Sequence, residues 1–224
     1  METFLSKEQI LVLKTYIDTH PILNHVWFGT VTWNNKRLKQ LNIKLPFNKH
    51  SSKRSKRLLT KDFNDYKIDL CRENKCHAEF YWALTYEWEH PNIHFIAMTD
   101  KPLFVNRPTR VQQRKNPKWI QNGAIELWKF GQQVDFRPYD AQWKGGNPTD
   151  GAVSYIFKKH VAHWDNEPVY HPNFRSCRNG NCKTCQKLKN KLKVRDFIES
   201  MTTKSNVVGV KGLSLHDQLT TMVK

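Results

Sequence analysis

No stretch of this chain approaches the roughly 20 consecutive apolar residues of a membrane-spanning helix. The opening METFLSKEQILVLKTYI is an amphipathic pattern broken by charges, so neither a signal peptide nor a transmembrane segment is expected, and a cytoplasmic setting without membrane partners follows. Cysteine is scarce and odd in number: Cys71, Cys76, Cys177, Cys182 and Cys185 are all there are. That suits a reducing compartment with metal binding better than a disulfide scaffold. Acidic residues are the other shortage. Against 37 Lys and Arg stand 20 Asp and Glu, a formal charge of +17 on 224 residues. So large an excess points to a polyanionic partner, nucleic acid first. No helicase-type phosphate loop occurs, so any unwinding would come from a partner.

The shortage of acid is concentrated. From Lys36 to Lys61 there are ten Lys or Arg residues, among them Lys53, Arg54, Lys56 and Arg57, without one carboxylate. Such a run repels itself unless phosphates neutralise it, so it is either a mobile arm or a DNA-contacting loop and helix; a merely solvated basic face is the plainer alternative. Residues 103–118 carry Arg107, Arg110, Arg114 and Lys115 and read as a basic connection. From Arg175 to Arg195 eight more cations follow with no acid, again suited to a phosphate backbone.

Periodicity supplies the elements. Residues 3–19 predict a helix with Leu5, Ile10, Leu11, Leu13 and Ile17 as apolar positions, closed by Pro21. Residues 26–33, rich in β-branched and aromatic side chains, predict a buried strand. Two more strands, 78–89 and 92–99, are expected to join tightly at His90-Pro91, and Val134 to Arg137 alternates as a strand should. Residues 151–160 predict a helix, with Asn147 as N-cap, Pro148 in its first turn and Asp150 adding favourable charge. Its apolar stripe is Val153, Ile156, Phe157, Val161 and Trp164.

Three groupings carry chemistry. If the turn at His90-Pro91 is two residues long, Glu87 pairs across from His94 and Glu89 from Asn92, so these four share one face while Tyr86, Trp88, Ile93 and Phe95 take the other. A carboxylate beside an imidazole within apolar strands is costly unless something binds there. Mixed carboxylate and imidazole ligation suits Mn²⁺ or Mg²⁺; a plain Glu-His ion pair is the alternative. Tyr155 lies beside Lys158 and Lys159 on a helix face, and nearby positive charge favours a phenolate nucleophile and can stabilise a phosphate oxyanion. A half-buried tyrosine beside solvated lysines is the simpler reading. Finally Cys177, Cys182 and Cys185 with His171 could close a structural Zn²⁺ site, with Cys71 and Cys76-His77 as competing ligands. Of the eight tryptophans, Trp33 and Trp143 are candidates for stacking on bases, though most should be core.

Thr30-Val31-Thr32, the hairpin ending Asn92-Ile93-His94-Phe95, and Tyr155-Ile156-Phe157-Lys158 occur in the order of the three motifs of the HUH endonucleases, the rolling-circle replication initiators of small phages and plasmids. Leu127-Trp128, Gly131, Val134-Asp135-Phe136-Arg137-Pro138 and Ala152 to Lys159 resemble the replication proteins of small single-stranded DNA phages. The resemblance spans residues 25–162. It implies an α+β fold with a central antiparallel β-sheet flanked by helices, of HUH or RRM-like kind, and a divalent cation held by histidine and carboxylate. It also implies a tyrosine that nicks single-stranded DNA at an origin hairpin, remains joined to the new 5′ end and leaves a 3′ hydroxyl for a host polymerase, with a host helicase as the other partner.

By position, Tyr155 would be the nucleophile and Lys158 the charge-stabilising lysine, and His94 matches the second histidine of the family's His-hydrophobic-His pair. Asn92 stands where the first is expected; it can offer a carbonyl oxygen, and His90 could substitute if the turn is longer. Glu87 is the preferred carboxylate and Glu89 the runner-up. The chain then divides into a nuclease domain, residues 1–165, and a basic, cysteine-containing C-terminal tail, residues 166–224, in the cytoplasm of a bacterial host if phage or plasmid encoded. A non-catalytic, zinc-containing DNA-binding or packaging protein, and a transposase of HUH type, are the rival readings.

Overall fold

The computed structural model describes residues 5–86, 90–103, 127–131, 134–139, 151–157, 163–164 and 183. Helix α1, Lys7–Thr19, begins where Ser6 accepts the Gln9 amide while the Gln9 side chain accepts the Ser6 amide, a reciprocal cap that satisfies two of the helix's unpaired donors. It buries Ile10, Val12, Leu13 and Ile17; Leu11, expected on the apolar stripe, is exposed and Val12 takes its place. Strand β1, His25–Thr32, leads into the short helix α2, Asn35–Gln40, and then helix α3, Lys53–Asn74. The acid-free stretch is therefore ordered into two helices and their connection rather than a mobile arm. Strands β2, Ala78–Thr85, and β3, Asn92–Thr99, follow, then β4, Val134–Pro138, helix α4, Ala152–Phe157, and the two-residue β5, His163–Trp164.

The strands form one antiparallel sheet in the order β4-β1-β3-β2-β5, with helices on both faces, an α+β arrangement. Because every residue of β3 is buried, it is the strand covered on both sides. One face carries Phe28, Tyr81, Ala83, Ile96 and Met98 against α1 and α4. The other carries Val31, Phe80, Trp82, Ile93, Phe95 and Phe136 against α3, which contributes Leu59, Phe63, Tyr66 and Leu70.

The β2–β3 register pairs Thr85 with Asn92, Leu84 with Ile93 and Ala83 with His94. A two-residue turn placing Glu87 opposite His94 and Glu89 opposite Asn92 is thus not formed: the strands end at Thr85 and Asn92. The Asn92 side-chain amide donates to the His90 carbonyl at 3.0 Å, a local turn bond that competes with further ladder pairing. Trp164, expected on the apolar stripe of the helix that carries Tyr155, on the side away from it, instead lies in β5 opposite Tyr81. Sheet pairing at the β2 edge won over continued helical periodicity.

Candidate active site

Directly opposed residues of antiparallel strands share a face. Asp135, Thr30, His94 and Ala83 therefore form one row across β4, β1, β3 and β2, and Arg137, Phe28, Ile96 and Tyr81 form the next. Beyond the first row lie Thr32, Asn92 and Thr85. At the other end of this face Glu79, opposite Met98, is buried and accepts from the Tyr16 and Tyr81 hydroxyls, and α4 packs where the first two rows meet.

Helix α4 is anchored by Ala152, Val153, Ile156 and Phe157, all in the core shared with α1. That anchoring sets Tyr155 at the rim, partly buried, with its ring 5.3 Å from the His94 ring in an edge-to-face arrangement and 6.3 Å from Phe28. His94 and Phe28 are themselves stacked at 6.4 Å. Of the sequence-derived candidates, the fold therefore brings His94 and Tyr155 together from segments far apart in the chain.

His94 is buried, and its Nδ1 lies 2.8 Å from Thr30 Oγ1. A hydrogen bond at one ring nitrogen fixes the ring's orientation, and the hydroxyl can pair with either tautomer; in the one with Nδ1 as donor, Nε2 carries the lone pair a metal ligand needs. Asn92 is buried next along β3, two residues away on the same face. The turn at His90 is longer than two residues, and the His90 ring nitrogen Nε2 lies 3.2 Å from Asn35 Oδ1 at the start of α2. Among the described residues no group of three or more His, Cys, Asp or Glu side chains is placed to hold a metal ion. Glu87, Glu89, Lys158, Lys159, Arg107, Arg110, Trp143, His171, Cys177, Cys182 and Cys185 lie outside the described residues, as do Asn147, Pro148 and Asp150.

The competing thiols are buried: burial, then the hydrogen bond with Cys76, holds the Cys71 thiol well above its ordinary pKa. His77 is engaged elsewhere, with Nδ1 2.6 Å from Asp100 Oδ2 and its amide donating to Asp100 Oδ1 at 2.7 Å. Asp100 sits below the usual carboxylate range because, although burial raises its pKa, these His77 bonds lower it more.

Trp33 is corrected as a base-stacking candidate. It is buried, and its indole donates to Asp62 Oδ2 at 3.0 Å, the carboxylate that also accepts two bonds from Arg37 at 2.9 and 2.6 Å. Lys53, Arg54, Lys56 and Arg57 occupy the first turns of α3, with no acidic residue among them. All but the half-buried Lys56 are exposed. The positive end of a helix dipole disfavours cations. The cluster is therefore unfavourably placed with respect to the helix dipole, although Lys56 Nζ donates to the Lys49 carbonyl at 3.1 Å. It lies on the α3 side of the sheet, whereas Tyr155 lies on the α1 and α4 side. A cavity of about 400 Å³ beside Asp65, Asp69, Arg72 and Lys129 is also on the α3 side, away from Tyr155.

Asp135 and Arg137 are the members of the site that sequence reading passed over. Their alternation with Val134 and Phe136 puts both on one face, but nothing local says that this face adjoins His94. No family model matches this chain, and no curated protein and no solved structure matches it either.

Proposed function

We propose that this protein is a metal-dependent single-strand DNA nickase and strand transferase of the HUH type, acting in rolling-circle replication with Tyr155 as nucleophile. The observation that carries the reading is the Tyr155 ring set 5.3 Å from the His94 ring on one face of the sheet. The strand order β4-β1-β3-β2, with α3 crossing between β1 and β2, has the β-α-β-β course of ferredoxin-like folds and agrees with an HUH or RRM-like core.

In this reading the Tyr155 phenol attacks a phosphodiester, joins the 5′ phosphate and releases a 3′ hydroxyl, and the reverse attack rejoins strands. A tyrosine suits this because its ester preserves the phosphate bond energy for rejoining, and positive charge beside a positioned phenol favours the phenolate that attacks. His94 and Asn92, with Glu87 or Glu89, would hold Mn²⁺ or Mg²⁺, which supplies charge neutralisation at the phosphate. Thr30 orients His94, and Lys158 and Lys159 add positive charge where the oxyanion develops. The α3 cations, with Arg107 and Arg110, bind the phosphate backbone of the origin hairpin, while helicase and polymerase come from the host. A structural Zn²⁺ on Cys177, Cys182, Cys185 and His171 would order the tail, residues 166–224.

Incubated with Mn²⁺ and a panel of single-stranded oligonucleotides, the wild-type protein should form a covalent protein-DNA adduct that Tyr155→Phe abolishes. An adduct that persists in Tyr155→Phe removes Tyr155 from the mechanism. The second reading, a non-catalytic DNA-binding protein, is favoured by the exposed cations of α3 and predicts salt-sensitive binding with no adduct under any divalent metal.

A further inference from the structure

Strand β4 brings a second charged unit to the tyrosine. Arg137 lies opposite Phe28 in the β1–β4 register, and its guanidinium carbon sits 5.3 Å from the centre of the Phe28 ring. Tyr155 packs against that same ring at 6.3 Å. The guanidinium and the phenol are therefore assembled on one aromatic side chain. Arg137 Nη2 donates to Asp135 Oδ2 at 2.7 Å, and Asp135 lies opposite Thr30, the residue bonded to His94. Both side chains face solvent in part, 44% exposed for Arg137 and 52% for Asp135, so a long polyanion can reach them.

We propose that Arg137 is a catalytic residue that binds the non-bridging oxygens of the phosphate attacked by Tyr155, with Asp135 and the Phe28 ring as its positioning groups. The inference rests on Tyr155 as the nucleophile and extends that reading to a residue on a different strand.

The physical case is one of geometry and charge type. A guanidinium is planar, always charged and presents five donors in a fixed fork that matches two phosphate oxygens at once. Contact with the Phe28 ring and the bond to the Asp135 carboxylate both restrain the guanidinium, so less side-chain freedom is lost on binding phosphate. In the step itself the Tyr155 oxygen–phosphorus bond forms as the bond from phosphorus to the 3′ oxygen breaks. The phenolic proton passes to solvent and the departing 3′ oxygen takes one up, so nothing is oxidised or reduced. Negative charge grows on the non-bridging oxygens during the exchange, and Arg137 faces that charge on both sides of the reaction, in nicking and in rejoining.

Two measurements test the assignment. With an oligonucleotide cut by the wild type, Arg137→Ala should slow single-turnover adduct formation by roughly 10²–10³-fold, the scale for removal of one preorganised charge-stabilising donor, and Arg137→Lys should recover part of it. In a Tyr155→Phe background, which cannot cut, the Arg137→Ala change should lower the salt dependence of binding by about one single-strand phosphate contact, ~0.7 in the slope of log K against log salt. A methylphosphonate placed at the scissile linkage should erase that difference. Full-rate cleavage by Arg137→Ala while Tyr155→Phe is dead overturns the role of Arg137 alone. So does a salt slope that Arg137→Ala leaves unchanged, or a difference that survives the methylphosphonate. Adduct formation by Tyr155→Phe instead overturns the assignment of Tyr155 as nucleophile, on which this inference rests, and no adduct from the wild type under any divalent metal overturns the nickase reading itself.

Discussion

The contact between Thr30 Oγ1 and His94 Nδ1, at 2.8 Å, is the smallest unit on which the site depends. It ties Thr30 on β1 to the histidine on β3 and sets the orientation of the His94 ring. Thr30→Val keeps the side chain's shape and removes only the hydroxyl. The variant should fold, with stability lower by about 1 kcal/mol. Its Mn²⁺ requirement for adduct formation should rise roughly 10–100-fold, the usual consequence of losing a group that orients a metal-bound histidine. Titrating Mn²⁺ against adduct yield checks this; a wild-type titration curve would detach the Thr30 contact from cation binding. Asn92, by contrast, is held through its donation to the His90 carbonyl, which shows how a residue suspected from its sequence position is also used by the turn.

At the level of elements, β1 is the strand that joins the two halves of the site, pairing with β3 on one side and β4 on the other. Its Gly29 stands opposite both Phe95 and Phe136, and a Cβ there would run into the Phe95 ring. The absence of a side chain lets Phe95 lie across the strand, where it also packs on Phe63, Tyr66, Phe80 and Phe136. Gly29→Ala should therefore destabilise the protein by roughly 1–3 kcal/mol, the usual range for overpacking a core, read as a lower urea midpoint. An unchanged midpoint would mean that the Phe95 ring moves aside freely. Helix α4 illustrates the complementary principle: its buried residues hold it against α1 and the sheet, and that rigidity is what presents Tyr155 at the rim.

Across the whole molecule the distribution of charge is the dominant feature. Helix α3 changes balance along its length, from Lys53, Arg54, Lys56, Arg57 and Lys61 with no acid to a second half where Asp62, Asp65, Asp69 and Glu73 outnumber Lys67 and Arg72. Asp62 is taken up by Arg37 and Trp33, so the cations of the first turns stay without a carboxylate among them. A chain of net charge +17 should bind nucleic acid with strong salt dependence. Replacing Lys53, Arg54, Lys56 and Arg57 by Gln should lower the slope of log K against log salt by up to about 3, at ~0.7 per single-strand phosphate contact. The fold should be unaffected, because these side chains are at most partly buried. Anisotropy titrations at several salt concentrations provide the measurement; an unchanged slope makes this end of α3 a solvated basic face.

Element identity was readable in the residues because periodicity is local: three for four spacing in α1, strict alternation in β4, and β-branched and aromatic runs in β1, β2 and β3 each report on their own backbone. Residue type likewise marked His94, Asn92 and Tyr155 as chemically notable and the acid-free stretch as a candidate polyanion surface. What the residues could not declare was partnership. Alternation assigns a side chain to a face but leaves open which strand lies beside it, so Glu87 was expected where Ala83 stands opposite His94. The row Asp135, Thr30, His94 joins three strands distant in the chain and exists only once the sheet is assembled. The same holds for Trp33, whose burial against Asp62 depends on α3 folding back across the sheet. Long-range pairing and burial are decided by the whole core at once, and the neighbourhood of Tyr155 is a product of that collective choice.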